Sequence, residues 1–261
     1  GSRPYQNAET LIMTLPTAKP NQPRIAPCAE MDCRACEFRS LTFCAGLHNQ
    51  EIGELSSIVT RLRIEPQQIV FQEGDAVEHV FNVTSGVVKL YKLLLDGRRQ
   101  ITGFLLPGDF LGLASRTGYS YSAEAVTGVS LCRFPRHKLE ETFDRFPRLQ
   151  RRLFEIANDE LVAAQDQMLL LGRKTALEKI SSFLLRLSER EQRRGAVPGP
   201  VELPQVELPM TRGDIADYLG LTIETVSRTL SQLKNDSLIT QNSLTEIELT
   251  NIGALQEITE S

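Results

Sequence analysis

Four glycines recur at nearly equal intervals in the middle of the chain, and this spacing constrains the fold more than any other feature. They stand eleven or twelve residues apart, at Gly74, Gly86, Gly97 and Gly108. Glycine tolerates the positive φ of a tight turn, so each marks a place where a strand reverses. Short apolar stretches lie between them, at residues 77–83, 87–94 and 101–106. Strands at this spacing predict an antiparallel β-roll or sandwich, with an open antiparallel sheet as the alternative.

A long helix is predicted next, from residue 146 to residue 172, because apolar side chains recur there at steps of mostly three and four. A helix of roughly 25 residues would extend nearly 40 Å at about 1.5 Å per residue. It either packs on its own sheet or forms a two-helix dimer interface, and the C-terminal pattern described next favours the dimer. The predicted interface consists of Leu153, Ile156, Leu161, Ala164, Met168 and Leu171.

The C-terminal region has the pattern of a helix-turn-helix. A second helix is predicted at residues 175–194, and a loop or short strand pair at 195–209. Residues 211–234 then form an amphipathic segment, a turn at Gly220, an N-cap at Thr222 and a second amphipathic segment. Strands at 238–240 and 246–249 predict a wing. A small helical subdomain that does not bind DNA has a similar pattern and is the alternative.

Three side chains at the start of the second helix of this motif favour DNA binding. Glu224, Ser227 and Arg228 lie at i, i+3 and i+4 and share one face. Arg228 can donate two bonds to guanine, Glu224 can accept from cytosine, and Ser227 can contact either pair. Thr222 and Arg212 are further candidate DNA contacts. The alternative is a Glu224–Arg228 salt bridge on a solvated helix.

The charge of this region limits how it can bind DNA. Residues 210–261 contain three basic residues against eight acidic ones. We therefore expect few phosphate ion pairs and a modest salt dependence, with binding that relies on base contacts and backbone N–H groups. One half-site would then supply too little binding energy, so dimerisation becomes an effective switch.

Four of the five cysteines are spaced like a ligand set. Cys33, Cys36 and Cys44 are close together in the sequence, and Cys132 stands alone far downstream. Three cysteines in a short loop plus one remote cysteine can hold an iron–sulfur cubane, in which each iron takes one thiolate. Zinc also accepts four thiolates, and spacing alone does not separate the two metals. Cys28, in a proline-rich segment, is predicted not to be a ligand.

These features together resemble the bacterial CRP/FNR superfamily, and within it the oxygen-sensing FNR group. The most specific segments are the cysteine set, Gln-Ile-Thr-Gly-Phe at residues 100–104, residues 168–171, and Met-Thr-Arg-Gly-Asp-Ile-Ala-Asp-Tyr-Leu-Gly-Leu-Thr-Ile-Glu-Thr-Val-Ser-Arg at residues 210–228. The resemblance implies a [4Fe–4S] cluster on Cys33, Cys36, Cys44 and Cys132 that supports a homodimer. It also implies binding to double-stranded DNA at TTGAT-N4-ATCAA palindromes, release when oxygen degrades the cluster, and contact with RNA polymerase near residues 96–99.

The chain departs from the familiar FNR pattern in two places. Seven residues separate Cys36 from Cys44 where the familiar version has five, so the loop is expected to shield the cluster differently and to change the rate of the oxygen response. Ala164 occupies a position where the familiar member carries a self-repelling aspartate, so the apo protein is expected to dimerise more readily. The residues that bind cyclic nucleotide in the superfamily are not found in the segment 107–114 or after Tyr121, and no cyclic nucleotide is expected as effector.

The expected fold class is α+β: an N-terminal antiparallel β-roll like a cyclic-nucleotide-binding jelly roll, a long dimerisation helix and a C-terminal winged helix-turn-helix. The predicted boundaries are a disordered lead at 1–27, a cysteine loop at 28–48, the roll at 49–145, the dimerisation helix at 146–172 and the DNA-binding domain at 173–261. No catalytic motif is found, and the three histidines are scattered, so no enzyme is expected. Neither a signal peptide nor a membrane span is predicted, which favours the cytoplasm.

Overall fold

The computed structural model describes residues 33–112, 118–194 and 203–260. The predicted lead at 1–27 and Cys28 lie outside these residues. In the described part of the chain, eight strands form two antiparallel sheets of four. One sheet has the order β1 (Thr60–Ile64), β8 (Val129–Pro135), β3 (His79–Ser85) and β6 (Phe110–Leu111), and the other has the order β2 (Ile69–Phe71), β7 (Ser122–Ala125), β4 (Val88–Leu93) and β5 (Arg99–Leu105). The predicted roll is confirmed, and the alternative of an open sheet is wrong.

The four regularly spaced glycines lie at turns of this roll. Their φ angles are +86° at Gly74, +76° at Gly86, +83° at Gly97 and +97° at Gly108, a region that side chains with a Cβ rarely adopt. Gly86 is restricted a second time, because a Cβ there would lie 2.2 Å from the carbonyl oxygen of Gly128. The turns bring apolar side chains of both sheets into one core, which includes Ile64, Val83, Val88, Leu111 and Leu131.

Helices flank the roll on both sides in the sequence. Two short ones, α1 (Ile52–Ile58) and α2 (Arg136–Arg145), lie inside the region for which the sequence predicts only β-structure. The long helix α3 runs over Pro147–Arg173, where the sequence predicts a helix at 146–172, and it begins with a proline at its first position. No helix among the described residues is long and apolar enough to cross a membrane.

The C-terminal unit is a helix-turn-helix with a three-stranded wing. Its sheet has the order β10 (Ile239–Gln241), β11 (Glu246–Leu249) and β9 (Gln205–Glu207). The third strand, β9, lies in residues 195–209, where the sequence predicts a loop or short strand pair. The sequence does not predict the final helix, α7 (Ile252–Glu260). The elements are α4 (Ala176–Arg194), β9 (Gln205–Glu207), α5 (Arg212–Leu219), α6 (Ile223–Asn235), β10 (Ile239–Gln241), β11 (Glu246–Leu249) and α7 (Ile252–Glu260).

An ion-pair network joins the first helix of this unit to the roll. Asp214 lies 3.0 Å from the Nζ of Lys89 on β4 and 2.8 Å from Nη2 of Arg99 on β5. Arg99 also binds Asp217 through Nε at 2.8 Å, and Lys89 binds Glu124 at 3.0 Å. Asp214 closes a capping box with Thr211 as well, so the same carboxylate begins α5 and anchors it. Burial alone would raise the pKa of Asp214, but the hydrogen bonds from Thr211 and Lys89 outweigh it and the net pKa is lowered.

Candidate metal centre and DNA-contacting helix

The cysteine loop is attached to the roll through an aromatic side chain. Cys33 belongs to a one-turn 3-10 helix, Cys33–Ala35, and Cys44 belongs to another, Phe43–Gly46, which Thr42 caps by accepting from the Cys44 backbone N–H at 3.3 Å. Phe43 is fully buried and makes edge contacts with Phe110 and Phe134, with ring centroids 5.5 and 5.2 Å apart. Burying Phe43 therefore holds Cys44 close to the first sheet.

The fourth cysteine lies on the sheet surface that this loop covers. Cys132 stands in β8, opposite Arg61 of β1 and opposite Asn82 of β3. Residues directly opposite each other in antiparallel strands present their side chains on the same face. One cavity is lined by all four predicted ligands together with Arg61, Asn82 and the apolar side chains of Ile52, Leu55 and Phe134. The fold thus brings together Cys33, Cys36, Cys44 and Cys132.

The chemistry of these thiols fits metal ligation better than free reactivity. All four are free of disulfides. Burial raises the pKa of the Cys44 thiol to about 12; Thr42 lowers it in part, and Cys132, Cys33 and Cys36 raise it further. Thiolates are the metal-binding form, so a metal must displace the proton of Cys44. Among the described residues, no three Cys, His, Asp or Glu side chains converge so as to hold a single metal ion. Four thiols around one cavity fit a cluster in which each iron takes one of them.

The cysteine loop also contacts the start of the long helix at very short range. A Cβ on Gly46 would lie 2.8 Å from the carbonyl oxygen of Arg148 and 2.8 Å from the Cα of Leu149. The Arg148 side chain bonds to Glu51 at 3.0 Å and contacts His48, so polar groups close the edge of this contact. Cys44 and Gly46 belong to the same 3-10 turn. The turn that contains Cys44 therefore packs directly against the backbone of α3.

The predicted dimer residues are distributed over different faces of α3. Leu153 and Ile156 are half-buried against the core that contains Phe43, so within one chain they already have apolar neighbours, and their role in a dimer interface stays a prediction. Leu171 is partly buried against the C-terminal unit, whereas Ala164 is exposed. Phe154, which was not predicted, is 66% exposed, with Leu161 at 57% and Met168 at 70% following at seven-residue intervals. We call the seam face the exposed apolar set of Phe154, Leu161, Val162, Met168 and Leu169.

The second helix of the motif presents its predicted contact residues to solvent. Thr222 caps α6 by accepting from the Thr225 backbone N–H at 3.2 Å, and Val226, Leu230 and Leu233 are buried on the opposite face. Glu224, Ser227 and Arg228 are exposed. Among the ion pairs of the described residues there is none between Glu224 and Arg228. The pKa of Glu224 is lowered, first by its own backbone N–H and then by Thr222, and the charge of Arg228 lowers it further.

Arg212 differs from the other candidate DNA contacts because it is only partly exposed. It stands at the start of α5, and burial lowers its pKa. In the described part of the chain it has no ion-pair partner. A half-buried guanidinium without a carboxylate beside it fits an anionic partner outside the chain.

Comparison with known proteins agrees with this arrangement of a roll and a helix-turn-helix. The family model of the cyclic nucleotide-binding domain matches residues 61–146, and that of the Crp-like helix-turn-helix domain matches residues 178–258. The chain is 43% identical over 204 residues to the transcriptional activatory protein AadR of Rhodopseudomonas palustris, which is 78% of this chain and 83% of that protein. The chain belongs to the CRP/FNR family.

Two further members of the CRP/FNR family extend this comparison. The transcriptional activator protein FnrL of Cereibacter sphaeroides is 38% identical over 227 residues, covering 86% of this chain and 90% of FnrL. The solved structure of FixK2 from Bradyrhizobium japonicum has a TM-score of 0.70 at 40% identity and covers 77% of this chain and 97% of that chain. The protein is therefore a DNA-binding transcription activator of the CRP/FNR type.

Family membership does not decide which signal this CRP/FNR protein senses. Residues 113–117, in the segment where the superfamily binds cyclic nucleotide, lie outside the described residues. That no cyclic nucleotide binds, that no reaction is catalysed and that the protein is cytoplasmic therefore stay predictions. The sequence analysis does not identify Asn82 or Gly46 as part of the site. The pairing of β3 with β8 places Asn82 opposite Cys132, and the close approach of Gly46 to the backbone of α3 is visible only in the structure.

Proposed function

We propose that the protein is an oxygen-responsive, anaerobic transcription regulator. A [4Fe–4S] cluster on Cys33, Cys36, Cys44 and Cys132 would promote a homodimer that binds TTGAT-N4-ATCAA-like palindromes, and oxygen would degrade the cluster and release DNA. The observation that carries this proposal is the single cavity that all four thiols line. Three of these cysteines come from a loop that abuts the long helix, and the fourth comes from the roll.

The cluster, when bound, would supply four iron–thiolate bonds that tie the loop to β8. The chain's own residues then do the rest. Phe43 anchors the loop in the core, Gly46 permits contact with α3, and Arg148 closes its edge. Without the cross-link from Cys132, the loop keeps only these noncovalent contacts, and its position on α3 becomes less defined. Coupling of about 1.4 kcal/mol between loop position and dimerisation changes the dimer equilibrium about tenfold.

The seam face supports the dimer part of the proposal. Phe154, Leu161 and Met168 repeat every seven residues, the spacing at which two helices pack along a shared seam. Exposed apolar groups in this number on one helix favour a partner surface over solvent. A twofold dimer also fits a palindrome, because each α6 would enter one half-site. The exposed Asp96 and Arg98 remain candidates for contact with RNA polymerase, whereas Arg99 is bound to α5.

The second candidate is a regulator of the same family that senses zinc, thiol oxidation or a small ligand without an iron–sulfur cluster. This alternative has support because all four thiols are free of disulfides and could bind zinc or be oxidised. Structural zinc sites usually take their thiolates from pairs of closely spaced cysteines, and this ligand set has one such pair, Cys33 and Cys36. A redox-sensing cysteine normally has a lowered pKa, and that of Cys44 is raised. Both observations favour the cluster.

Anaerobic purification followed by a gel shift tests the proposal. The protein should be brown, absorb broadly near 400 nm, contain iron and sulfide, and bleach in air. Its affinity for a TTGAT-N4-ATCAA duplex should fall after bleaching, with a modest dependence on salt. A colourless protein with bound zinc, or DNA binding indifferent to air, would contradict the oxygen response.

Replacing Arg228 by alanine tests the base contacts. We expect the affinity for the palindrome to fall about 10–100-fold, since a bidentate arginine–guanine contact is worth about 1–3 kcal/mol. Lys234→Ala, in the last turn of the same helix, is the matched control and should weaken all sequences alike. The measurement is a gel shift on the palindrome and on duplexes substituted at each position. Equal losses on every duplex for Arg228→Ala would exclude a base-specific role.

Replacing Gly46 by alanine tests the contact between loop and helix. The added Cβ overlaps backbone atoms of α3, so the 3-10 turn must move away from it. We expect cluster content near that of the wild type but a dimer about tenfold weaker, measured by anaerobic sedimentation. Gly53→Ala in α1 is the control, because nothing lies within 4 Å of a Cβ there. A Gly46→Ala protein that dimerises like the wild type would show that this contact does not transmit the signal.

A further inference from the structure

A buried amide stands between the two regions that supply the cysteines. Asn82 of β3 is 2% exposed, and its Nδ2 donates to the Sγ of Cys44 at 3.5 Å. Its backbone lies directly opposite Cys132 in the strand pairing. Asn82 is therefore bonded to a sulfur of the loop and stands beside the sulfur of the roll.

The other half of this amide is not satisfied. The Oδ1 of Asn82 is buried and has no hydrogen-bond partner among the described residues. A buried polar atom without a partner costs folding free energy, and an apolar side chain of similar shape avoids that cost. Asn82 therefore stabilises the roll less than an apolar side chain of similar shape would. Its position is explained by what Nδ2 donates to, which is a sulfur.

Hydrogen bonds to ligand sulfurs are one of the means by which a protein tunes an iron–sulfur cluster. An N–H directed at a thiolate withdraws electron density from it, which favours the reduced cluster over the oxidised one. It also fixes the orientation of the ligand, as partners of metal ligands do in general. Arg61 lies on the other side of Cys132, and Arg39 lines the same cavity, so an anionic centre there would face two cationic side chains as well as the amide of Asn82.

We propose that Asn82 is a positioning residue that holds the Cys44 thiolate and protects the cluster against oxidation by dioxygen. The inference rests on the proposed function. In air, an electron would pass from such a cluster to dioxygen, and the hydrogen bond from Nδ2 of Asn82 to the Cys44 sulfur would make that loss less favourable. Asn82 thus sets how long the cluster survives in air, independently of whether the four cysteines can assemble it.

The test compares Asn82→Leu with Thr84→Val in the full chain, purified without oxygen. Both changes are nearly isosteric, and both residues line the same cavity from β3. Thr84 differs because its hydroxyl donates to the carbonyl oxygen of Ser130 at 3.0 Å, not to sulfur. Three quantities are measured: iron and sulfide content, the midpoint potential in a dye-mediated titration, and the rate of bleaching after a fixed addition of dissolved oxygen.

We expect Asn82→Leu to keep its iron and sulfide, to have a lower midpoint potential and to bleach about tenfold faster, at the lower end of effects seen when partners of metal ligands are removed. Thr84→Val should match the wild type in all three. An Asn82→Leu protein with wild-type potential and bleaching rate would overturn the inference, and so would an equal shift in Thr84→Val. If Asn82→Leu does not fold, Asn82→Ala removes the same donor without adding methyl groups. A wild-type protein without iron would instead overturn the proposed function, which separates the two failures.

Discussion

Replacing Leu161 by aspartate is expected to convert the protein to a monomer and to abolish specific DNA binding. Leu161 lies at the middle of the seam face, between Phe154 and Met168. Burying a leucine contributes about 1.5–3 kcal/mol, and a twofold dimer loses this contribution twice. The two carboxylates would also meet across the axis. The dimer dissociation constant should therefore rise about 100-fold or more.

Sedimentation under anaerobic conditions and a gel shift on the palindrome measure this result. Ala163→Asp is the matched control: Ala163 is exposed too, but it lies two residues further on, about 200° around the helix. It should leave the dimer within a few-fold of the wild type. A Leu161→Asp protein that remains dimeric would mean that the subunits associate through another surface. Both variants should keep their cluster, because the cavity is lined by residues outside the seam face.

Replacing Cys132 by serine is expected to remove the oxygen response altogether. Cys132 is the one predicted ligand that comes from the roll, and without it the loop has no iron–thiolate link to β8. The iron content of Cys132→Ser should fall to that of the protein without its cluster. Anaerobic affinity for the palindrome should drop about tenfold or more, to the aerobic value. Serine is close in size to cysteine, so the roll should remain folded.

Iron and sulfide assays, absorbance near 400 nm and gel shifts with and without air measure this second result. Cys28→Ser is the control, because Cys28 is predicted not to be a ligand, and it should behave like the wild type. Retention of the full cluster in Cys132→Ser would refute the ligand set. Loss of the cluster in Cys28→Ser would instead mean that Cys28 is a ligand. The predicted ligand set would then be wrong, but the proposed oxygen response would not be contradicted.

Much of the fold could be predicted because the informative residues act locally. A glycine at a turn needs positive φ whatever surrounds it, so the roll was visible from spacing alone. The helix-turn-helix has an N-cap at Thr222 and a left-handed Gly220, both of which are local signals. The helices α1 and α2 were missed because they are short, and α2 buries only Leu139 and Thr142. A pattern with so few apolar positions is not periodic enough to predict a helix.

The sequence predicts which four thiols the fold brings to one cavity, but not the side chains that surround them. Cysteine spacing indicated the four thiols, but periodicity on α3 could not separate the stripe that packs on the chain itself from the one that faces outward. Leu153 and Phe154 are neighbours in sequence, yet the first is half-buried and the second is exposed. Asn82 is distant in sequence from all four cysteines. Only the register of β3 and β8 places it beside them.

Asp214 has a consequence for how the DNA-binding unit can move. Its carboxylate caps α5 and at the same time binds Lys89 and Arg99 of the roll. Partial tilting would leave a buried charge without its partners, which is costlier than either the fully docked or the fully solvated arrangement. Intermediate orientations are therefore disfavoured, and reorientation of this unit should be all-or-none: the unit is either docked on the roll or fully released from it.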